Sequence, residues 1–364
     1  MKVFIICTQL EAGGAQRASI KLSQQFRNKG ISCENLFLYK KRDSFKGIEH
    51  ISVVQNRLIT SPLDYIFISY KLIRKFKRDK PDVVITFTHY ANILGLLCAY
   101  LAGVKTRIAS HRNPSWGDMS KLWLQIDEFC AKRRIYTQIT AVSKSTKSSF
   151  EFYPTHIYER ITVINNGIEA LTLNIGKREA RQQLGLPIDS KIIGTIGRLS
   201  YQKNHKTLIE AMAKVDTGIL VIAGEGELRL ETSLLIDKLG LNDKVILLGE
   251  IRHDYIPLFL KAIDLFVMPS LFEGLSNALI EAMSMGVPVL TSDIDSQKDV
   301  VISDDGTLNG ILLPAEDADM WGIQIKSILT DNDKLSYLSH RSLVRASDFT
   351  VEKMSSEFLK VINN

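Results

Sequence analysis

Hydrophobic residues fall into short β-branched clusters separated by stretches with helical spacing, and the two patterns alternate along the chain. Clusters at 3–7, 34–39, 83–87, 107–110, 139–142 and 161–164 predict strands in the first half. Between them, 15–29, 64–78 and 91–102 repeat apolar positions every three or four residues and predict helices. The second half repeats the theme, with strands predicted at 192–196, 219–223, 245–248, 265–268 and 287–291. Short apolar strands alternating with helices argue for α/β layers built on parallel sheets. Asn165-Asn166-Gly167, a turn signal followed by a polar stretch to Ala180, marks the expected boundary between two doubly wound units in tandem. A length of 364 residues suits two cores.

Composition narrows the setting. Hydrophobic residues at 45%, charged residues at 24% and only nine prolines leave no stretch that calls for disorder. Cys7, Cys33, Cys98 and Cys130 show neither zinc-ligand nor disulfide-framework spacing, so a reducing cytoplasm is expected. The opening apolar run is too short for a signal peptide, and the run at 93–104 is about half of what spans a bilayer, so a buried helix is expected there. The net charge of +6 is uneven: residues 1–170 hold 26 Lys and Arg against 13 Asp and Glu, whereas 171–364 hold 20 against 27. A basic half suits an anionic membrane, a phosphorylated substrate or nucleic acid. Nucleic acid is set aside because no interleaved aromatic platform or groove-reading motif accompanies the charge. In the segment from Tyr65 to Arg78, Ile66, Tyr70 and Ile73 are expected to pack inward, with Phe67 beside them. Lys71, Arg74, Lys75 and Arg78 would then face an anionic membrane, giving a cytoplasmic protein with peripheral contact at the inner face.

Candidate chemistry concentrates after the strand ending at Met268. Its loop carries Glu273 and Gly274, and a helix follows with Ser276 as its expected cap. Unpaired amides at such a helix start favour a pyrophosphate, and a glycine lets the backbone approach it. Glu273 and Glu281 would stand about 12 Å apart if all the intervening residues were helical. That separation suits the sugar hydroxyls at one end of an elongated ligand and the ribose hydroxyls at the other. Asp293-Ile-Asp295 could hold a divalent ion. It lies beyond the strand that follows that helix, which argues against a metal role.

Glu273, seven residues, Glu281, then Ala-Met and Met-Gly-Val-Pro-Val resembles the donor-site signature of family 4 retaining glycosyltransferases. Gly197-Arg198-Leu199 with Gln202-Lys203-Asn204 resembles the family's Arg and Lys pair at the donor diphosphate, and Ala223-Gly224-Glu225-Gly226 resembles its glycine-rich turn near the nucleotide. Gly13-Gly14-Ala15-Gln16-Arg17 resembles the N-terminal glycine loop, with Gln16 in place of the common Glu. Asn166-Gly167-Ile168 resembles the interdomain crossing, and His111 in Ser110-His111-Arg112-Asn113-Pro114 matches a histidine that contacts the donor sugar. Gln297-Lys298-Asp299 departs from the family, standing where a Pro-Glu pair is common.

The resemblance implies a GT-B fold: two Rossmann-like doubly wound domains facing a central cleft. Residues 1–168 would bind acceptor, 169–347 would bind a nucleotide sugar, and a final helix in 348–364 would cross back to the first domain. It further implies a retaining hexosyltransferase without cofactor or metal, using a UDP-sugar and a glycan or polyprenyl-diphosphate-linked acceptor in bacterial surface polysaccharide assembly. His111, Arg198, Lys203 and Glu273 are the expected catalytic residues. Gly14, Gly197, Gly224, Ile251, Gly274, Leu275, Ser276 and Glu281 join Arg198, Lys203 and Glu273 as expected donor contacts, and Gln16, Arg112 and Asn113 are the expected acceptor contacts. A nucleotide-sugar epimerase and a non-catalytic binding subunit are the alternatives. The segment around Glu273 and Glu281 argues against the first, and an intact Arg198, Lys203, Glu273 and Glu281 against the second. A dinucleotide-dependent dehydrogenase is disfavoured because neither half has a G-x-G-x-x-G turn with an acidic residue in register.

Overall fold

The strand Lys2–Leu10 (β1) buries side chains on both faces: Phe4 and Ile6 enter one hydrophobic layer, while Val3, Ile5 and Cys7 enter the other. A strand apolar on both sides belongs in the middle of a covered parallel sheet. In the computed structural model, which describes residues 1–364 except 12, 43, 44, 46, 119 and 170, β1 lies there. The other strands of the sheet are Ser32–Lys40 (β2), Ile51–Gln55 (β3), Val83–Thr86 (β4), Thr106–His111 (β5), Gln138–Ala141 (β6) and Thr162–Val163 (β7). Their order is β3-β2-β1-β4-β5-β6-β7, all parallel, so the winding reverses beside β1. Helices Pro62–Asp79, His89–Leu101 and Lys121–Lys132 cover one face; Gly14–Asn28 and Val351–Asn363 cover the other.

A second sheet contains Ile192–Ile196 (β8), Ile219–Ala223 (β9), Val245–Gly249 (β10), Leu265–Met268 (β11), Val289–Ser292 (β12) and Ile311–Leu313 (β13). Its order, β10-β9-β8-β11-β12-β13, is again parallel and reverses beside β8. Two compact units result: Met1–Ile168 with Thr350–Asn364, and Glu169–Phe349. Open sheets of this winding hold ligands beyond the carboxyl ends of the strands at the reversal, which directs attention to the loops after β1, β4, β8 and β11.

Gly167 makes the return of the chain possible. A side chain there would collide with the Val351 and Thr350 backbone, where Ile168 and Thr350 form a parallel bridge. The helix Val351–Asn363 then inserts Met354 and Phe358 into the layer beneath β1. All four cysteines are free and buried, and burial pushes the Cys7 and Cys33 thiols up to about 12. Among the described residues no helix is long and apolar enough to cross a membrane.

Three expectations need correction. Strands β3 and β13 are additional to the expected ones: in β3 Ser52 and Gln55 interrupt the apolar run, and β13 has three residues. The helix 62–79 turns a different face inward. Its buried stripe is Asp64, Ile68, Leu72 and Phe76, whereas Ile66, Phe67 and Tyr70 are exposed. Lys75 is not an outward cation, since it pairs with Glu34 and Asp79.

Candidate active site

In the second unit, the loop after β8 is shaped by contact with the loop after β9. Gly197 N donates to Ala223 O (3.0 Å), Leu199 N to Glu225 O (3.1 Å) and Leu228 N to Leu199 O (3.0 Å). A side chain on Gly224 would strike the Gly197 carbonyl, and one on Gly226 the Leu199 carbonyl. These glycines let two backbones run together past the strand ends. Gly197 also clears a path: the Lys203 stem crosses it so closely that a Cβ there would sit 3.1 Å from Lys203 Cδ and Cε. Across that path Lys203 Nζ reaches Glu273 Oε1 at 2.5 Å.

Gln202, whose type and position carry no signal of their own, ties the same loops together. Its Nε2 donates to Phe272 O (2.9 Å) and to Glu273 Oε2 (3.4 Å), and its carbonyl accepts from Leu271 N (2.8 Å). Asn204, in the left-handed region at φ 49°, fixes the turn by donating to Ala315 O (2.8 Å) and Pro269 O (3.3 Å). Glu273 is thus a nearly buried carboxylate on a braced loop. Arg198 is exposed, and among the described residues none pairs with its guanidinium. A free Arg beside a Lys held by a carboxylate is an arrangement that can receive a diphosphate, the Arg as a fork and the Lys as a point charge.

The helix Asn277–Ser284 begins where Ser276 caps it, its Oγ accepting from Leu279 N (3.4 Å). Glu273 lies in the loop 273–276 and Glu281 on the helix that follows, the placement expected. Glu281 lies on the buried side of that helix, and Leu275 is buried as well. Gly274 is in the loop and Ile251 is half-buried just after β10. His205 is kept neutral, pushed down to about 3 by burial and then by Lys203. Asp293 and Asp295 both face Lys298, at 2.9 and 3.7 Å, and the pairing raises the Lys298 ammonium. Among the described residues no cluster of three or more His, Cys, Asp or Glu is placed to hold a metal. Gln297 is fully buried, and among the described residues neither of its amide atoms finds a hydrogen-bond partner.

The first unit carries its own residues at the carboxyl edge. Thr8 and Thr88 join the ends of β1 and β4, Thr8 N donating to Thr88 Oγ1 (2.9 Å). Gly14 opens the helix 14–28 with no side-chain cap, leaving amides at its start. Gln16 does not face outward as expected: it is buried beneath the turn, its Nε2 donating to Gln9 O (3.4 Å), and a side chain on Gly13 would overlap its amide.

His111 also departs from expectation. It is fully buried among Phe150 (ring centroids 4.0 Å), His89 (5.5 Å) and Tyr153 (6.4 Å), so no ligand reaches the ring in this conformation. Its Nδ1 is 3.3 Å from the Asn92 amide and its Nε2 is 3.9 Å from Asp127 Oδ2. Burial pushes its pKa down to about 3, and the imidazole is neutral. Arg112, expected to read acceptor, is buried instead. Its guanidinium lies 4.0 Å from the Phe87 centroid and 5.6 Å from Phe358, and it donates to Asn166 Oδ1 (3.0 Å). Desolvation lowers it to about 9, which leaves it charged at neutral pH. It fastens the crossing segment and the last helix to β5. Of the three expected acceptor residues only Asn113 is exposed.

Two parallel, reversing α/β units define a GT-B fold, and solved structures agree. HepE of Anabaena, crystallised with UDP and glucose, superposes over the full length of both chains with a TM-score of 0.87 at 21% identity. The Glycosyltransferase Family 4 profile matches residues 12–170 and the Glycosyl transferases group 1 profile matches 176–343. A UDP-Gal:alpha-D-GlcNAc-diphosphoundecaprenol alpha-1,3-galactosyltransferase of Escherichia coli is 30% identical over 82% of this chain and 78% of its own. An N-acetylgalactosamine-N,N'-diacetylbacillosaminyl-diphospho-undecaprenol 4-alpha-N-acetylgalactosaminyltransferase of Campylobacter jejuni is 25% identical over 99% of both. An uncharacterized glycosyltransferase of Methanocaldococcus jannaschii, 32% identical, is matched over half of its length. The chain belongs to glycosyltransferase family 4, and it is a glycosyltransferase.

Proposed function

We propose that the protein transfers a hexose or N-acetylhexosamine, with retention and without metal, from a UDP-sugar to a glycan carried on a lipid diphosphate, in the assembly of a bacterial surface polysaccharide or glycoconjugate. The observation that carries the donor half of this reading is an exposed Arg198, without a partner among the described residues, on the same loop as a Lys203 aligned by Glu273. Departure of a nucleoside diphosphate puts negative charge on the β-phosphate, and fixed cations there stabilise the transition state more than the ground state. Lys203 and Arg198 supply that charge in our reading, and Lys298 already occupies Asp293 and Asp295. Glu273 holds Lys203 and meets the sugar hydroxyls, while Glu281 serves the ribose. Gly274, Leu275, Ser276 and Ile251 line the rest of the donor site.

The acceptor half is supported by the relatives. The E. coli and C. jejuni enzymes act on diphospho-undecaprenol-linked sugars and form α linkages, as their names state. An α product from an α-linked nucleotide sugar is the outcome of retention. No enzyme carboxylate is assigned as nucleophile. The leaving phosphate takes the acceptor proton on the same face in this reading, and His111 acts only by positioning the strand edge around it.

Calorimetry with UDP and GDP, with and without chelator, tests the donor half. UDP is expected to bind equally well in EDTA, and Arg198→Ala to lose about tenfold or more in affinity, the worth of a charge-assisted hydrogen-bond pair. Turnover that disappears on chelation and returns with Mg²⁺ or Mn²⁺ would overturn metal independence. Product analysis without acceptor separates transfer from epimerisation.

A further inference from the structure

Each helix that follows a strand in a parallel, right-handed unit begins at the carboxyl edge of the sheet, where the Gly14 turn and the His111 to Asn113 loop also lie. At that edge the helix 62–79 is apolar toward solvent. Leu63, Ile66, Phe67 and Tyr70 are 72, 66, 49 and 58% exposed, while the core is closed by Ile68, Leu72 and Phe76 on the opposite side. On the same face of the sheet, Trp116 and Leu122 are 62 and 63% exposed, just before and within the first turn of the helix 121–132. Isolated exposed hydrophobics are ordinary, but several gathered on one edge mark an interaction surface.

The accompanying charge specifies what covers it. Lys71 Nζ lies 4.2 Å from the Phe67 ring centroid and Arg74 lies 5.6 Å from Tyr70. Lys77 and Lys121 are exposed and, among the described residues, pair with no acid. The acids of this helix are occupied elsewhere, Asp64 by Arg57 and the chain before the helix, Asp79 by Arg78 and Lys75. Apolar tips followed by unneutralised cations match the boundary of an anionic bilayer, where side chains enter the acyl region and cations meet phosphate. We infer that this edge of the N-terminal unit docks on anionic phospholipid by inserting Leu63, Ile66, Phe67 and Tyr70, with Lys71 and Arg74 on the headgroups. The inference rests on the lipid-linked acceptor proposed above and adds the surface that reaches it.

The test uses the whole protein and vesicles without donor or acceptor, made of phosphatidylcholine alone or with phosphatidylglycerol. Wild type is expected to sediment with the phosphatidylglycerol vesicles and to release as salt rises. Ile66→Ser with Phe67→Ser should lower vesicle affinity about tenfold or more. Lys71→Ser with Arg74→Ser should remove the preference for the anionic lipid. Phe67→Trp should add blue-shifted emission on vesicle addition. Unchanged UDP affinity and circular dichroism show that the variants fold. Equal sedimentation of wild type and Ile66→Ser with Phe67→Ser, or unshifted Phe67→Trp emission, overturns the inference. So does a dimer that the same double variant dissolves, since the occupant is then a second copy. Normal turnover on a short-chain soluble acceptor without vesicle binding removes only the docking surface, and vesicle binding without transfer removes only the enzymatic reading.

Discussion

Glu273 is buried, on a loop, and in contact with a lysine seventy positions earlier, so its substitution tests position and chemistry together. Glu273→Ala should abolish turnover and leave much of the UDP affinity, whereas Glu281→Ala should chiefly weaken UDP binding. Calorimetry with UDP and initial rates on the same variants check this, and an equal loss of affinity in both would reject the division. Residue types and spacing made both carboxylates legible, because Glu273 and Glu281 sit in a long recognisable segment. Gln202 was not legible as a brace: its partners Phe272 and Glu273 are reached only by folding. His111 was legible as a residue but not as a buried one, since Phe150 and Tyr153 close over it from a later part of the chain. Its depressed pKa has a consequence for stability. A histidine whose folded pKa is about 3 contributes fully above its unfolded value, and that contribution is lost as pH falls from about 6.5 toward 3. His205 acts in the same sense, and Asp127, raised by burial, in the opposite one. His111→Asn should therefore flatten the fall in unfolding free energy across that range, measured by urea titration at stepped pH.

Most strands and helices could be placed from periodicity, and the exceptions have physical reasons. The helix 62–79 has two candidate stripes at i, i+4 spacing, one through Ile66 and Tyr70 and one through Ile68, Leu72 and Phe76. Periodicity cannot choose between them. Asp64 does, at the head of the second stripe: it caps the helix by accepting from Thr60 N (2.8 Å) and Ser61 N (3.2 Å) and is bound by Arg57, which turns the first stripe to solvent. Strand β3 escaped because Ser52 and Gln55 break its apolar run, and β13 because it is only three residues long. The last helix shows how one element completes another's core. Phe358 is fully buried, stacked on Phe87 at 5.7 Å and within reach of the Arg112 cation. Phe358→Ala should cost about 3–5 kcal/mol, the usual range for an aromatic deleted from a packed interior. Denaturant unfolding followed separately in each unit should show the loss in the N-terminal one and little change in the other.

The molecule consists of two units with the same winding, and the second is inserted into the first: Glu169–Phe349 is continuous, whereas Met1–Ile168 needs Thr350–Asn364. That insertion has a consequence for synthesis. Ribosomes release residues in order, and domains fold as units once their residues have emerged. The inserted unit is complete when Phe349 is free of the exit tunnel, while the earlier unit still lacks Val351, Met354, Phe358 and Val361 from its lower layer. The first half made is thus the last half finished. Until Thr350–Asn364 emerges it carries an uncovered apolar layer with the cation Arg112 at its border, a nascent state that invites chaperone capture and in which a stop before Thr350 leaves one good unit joined to one that cannot close.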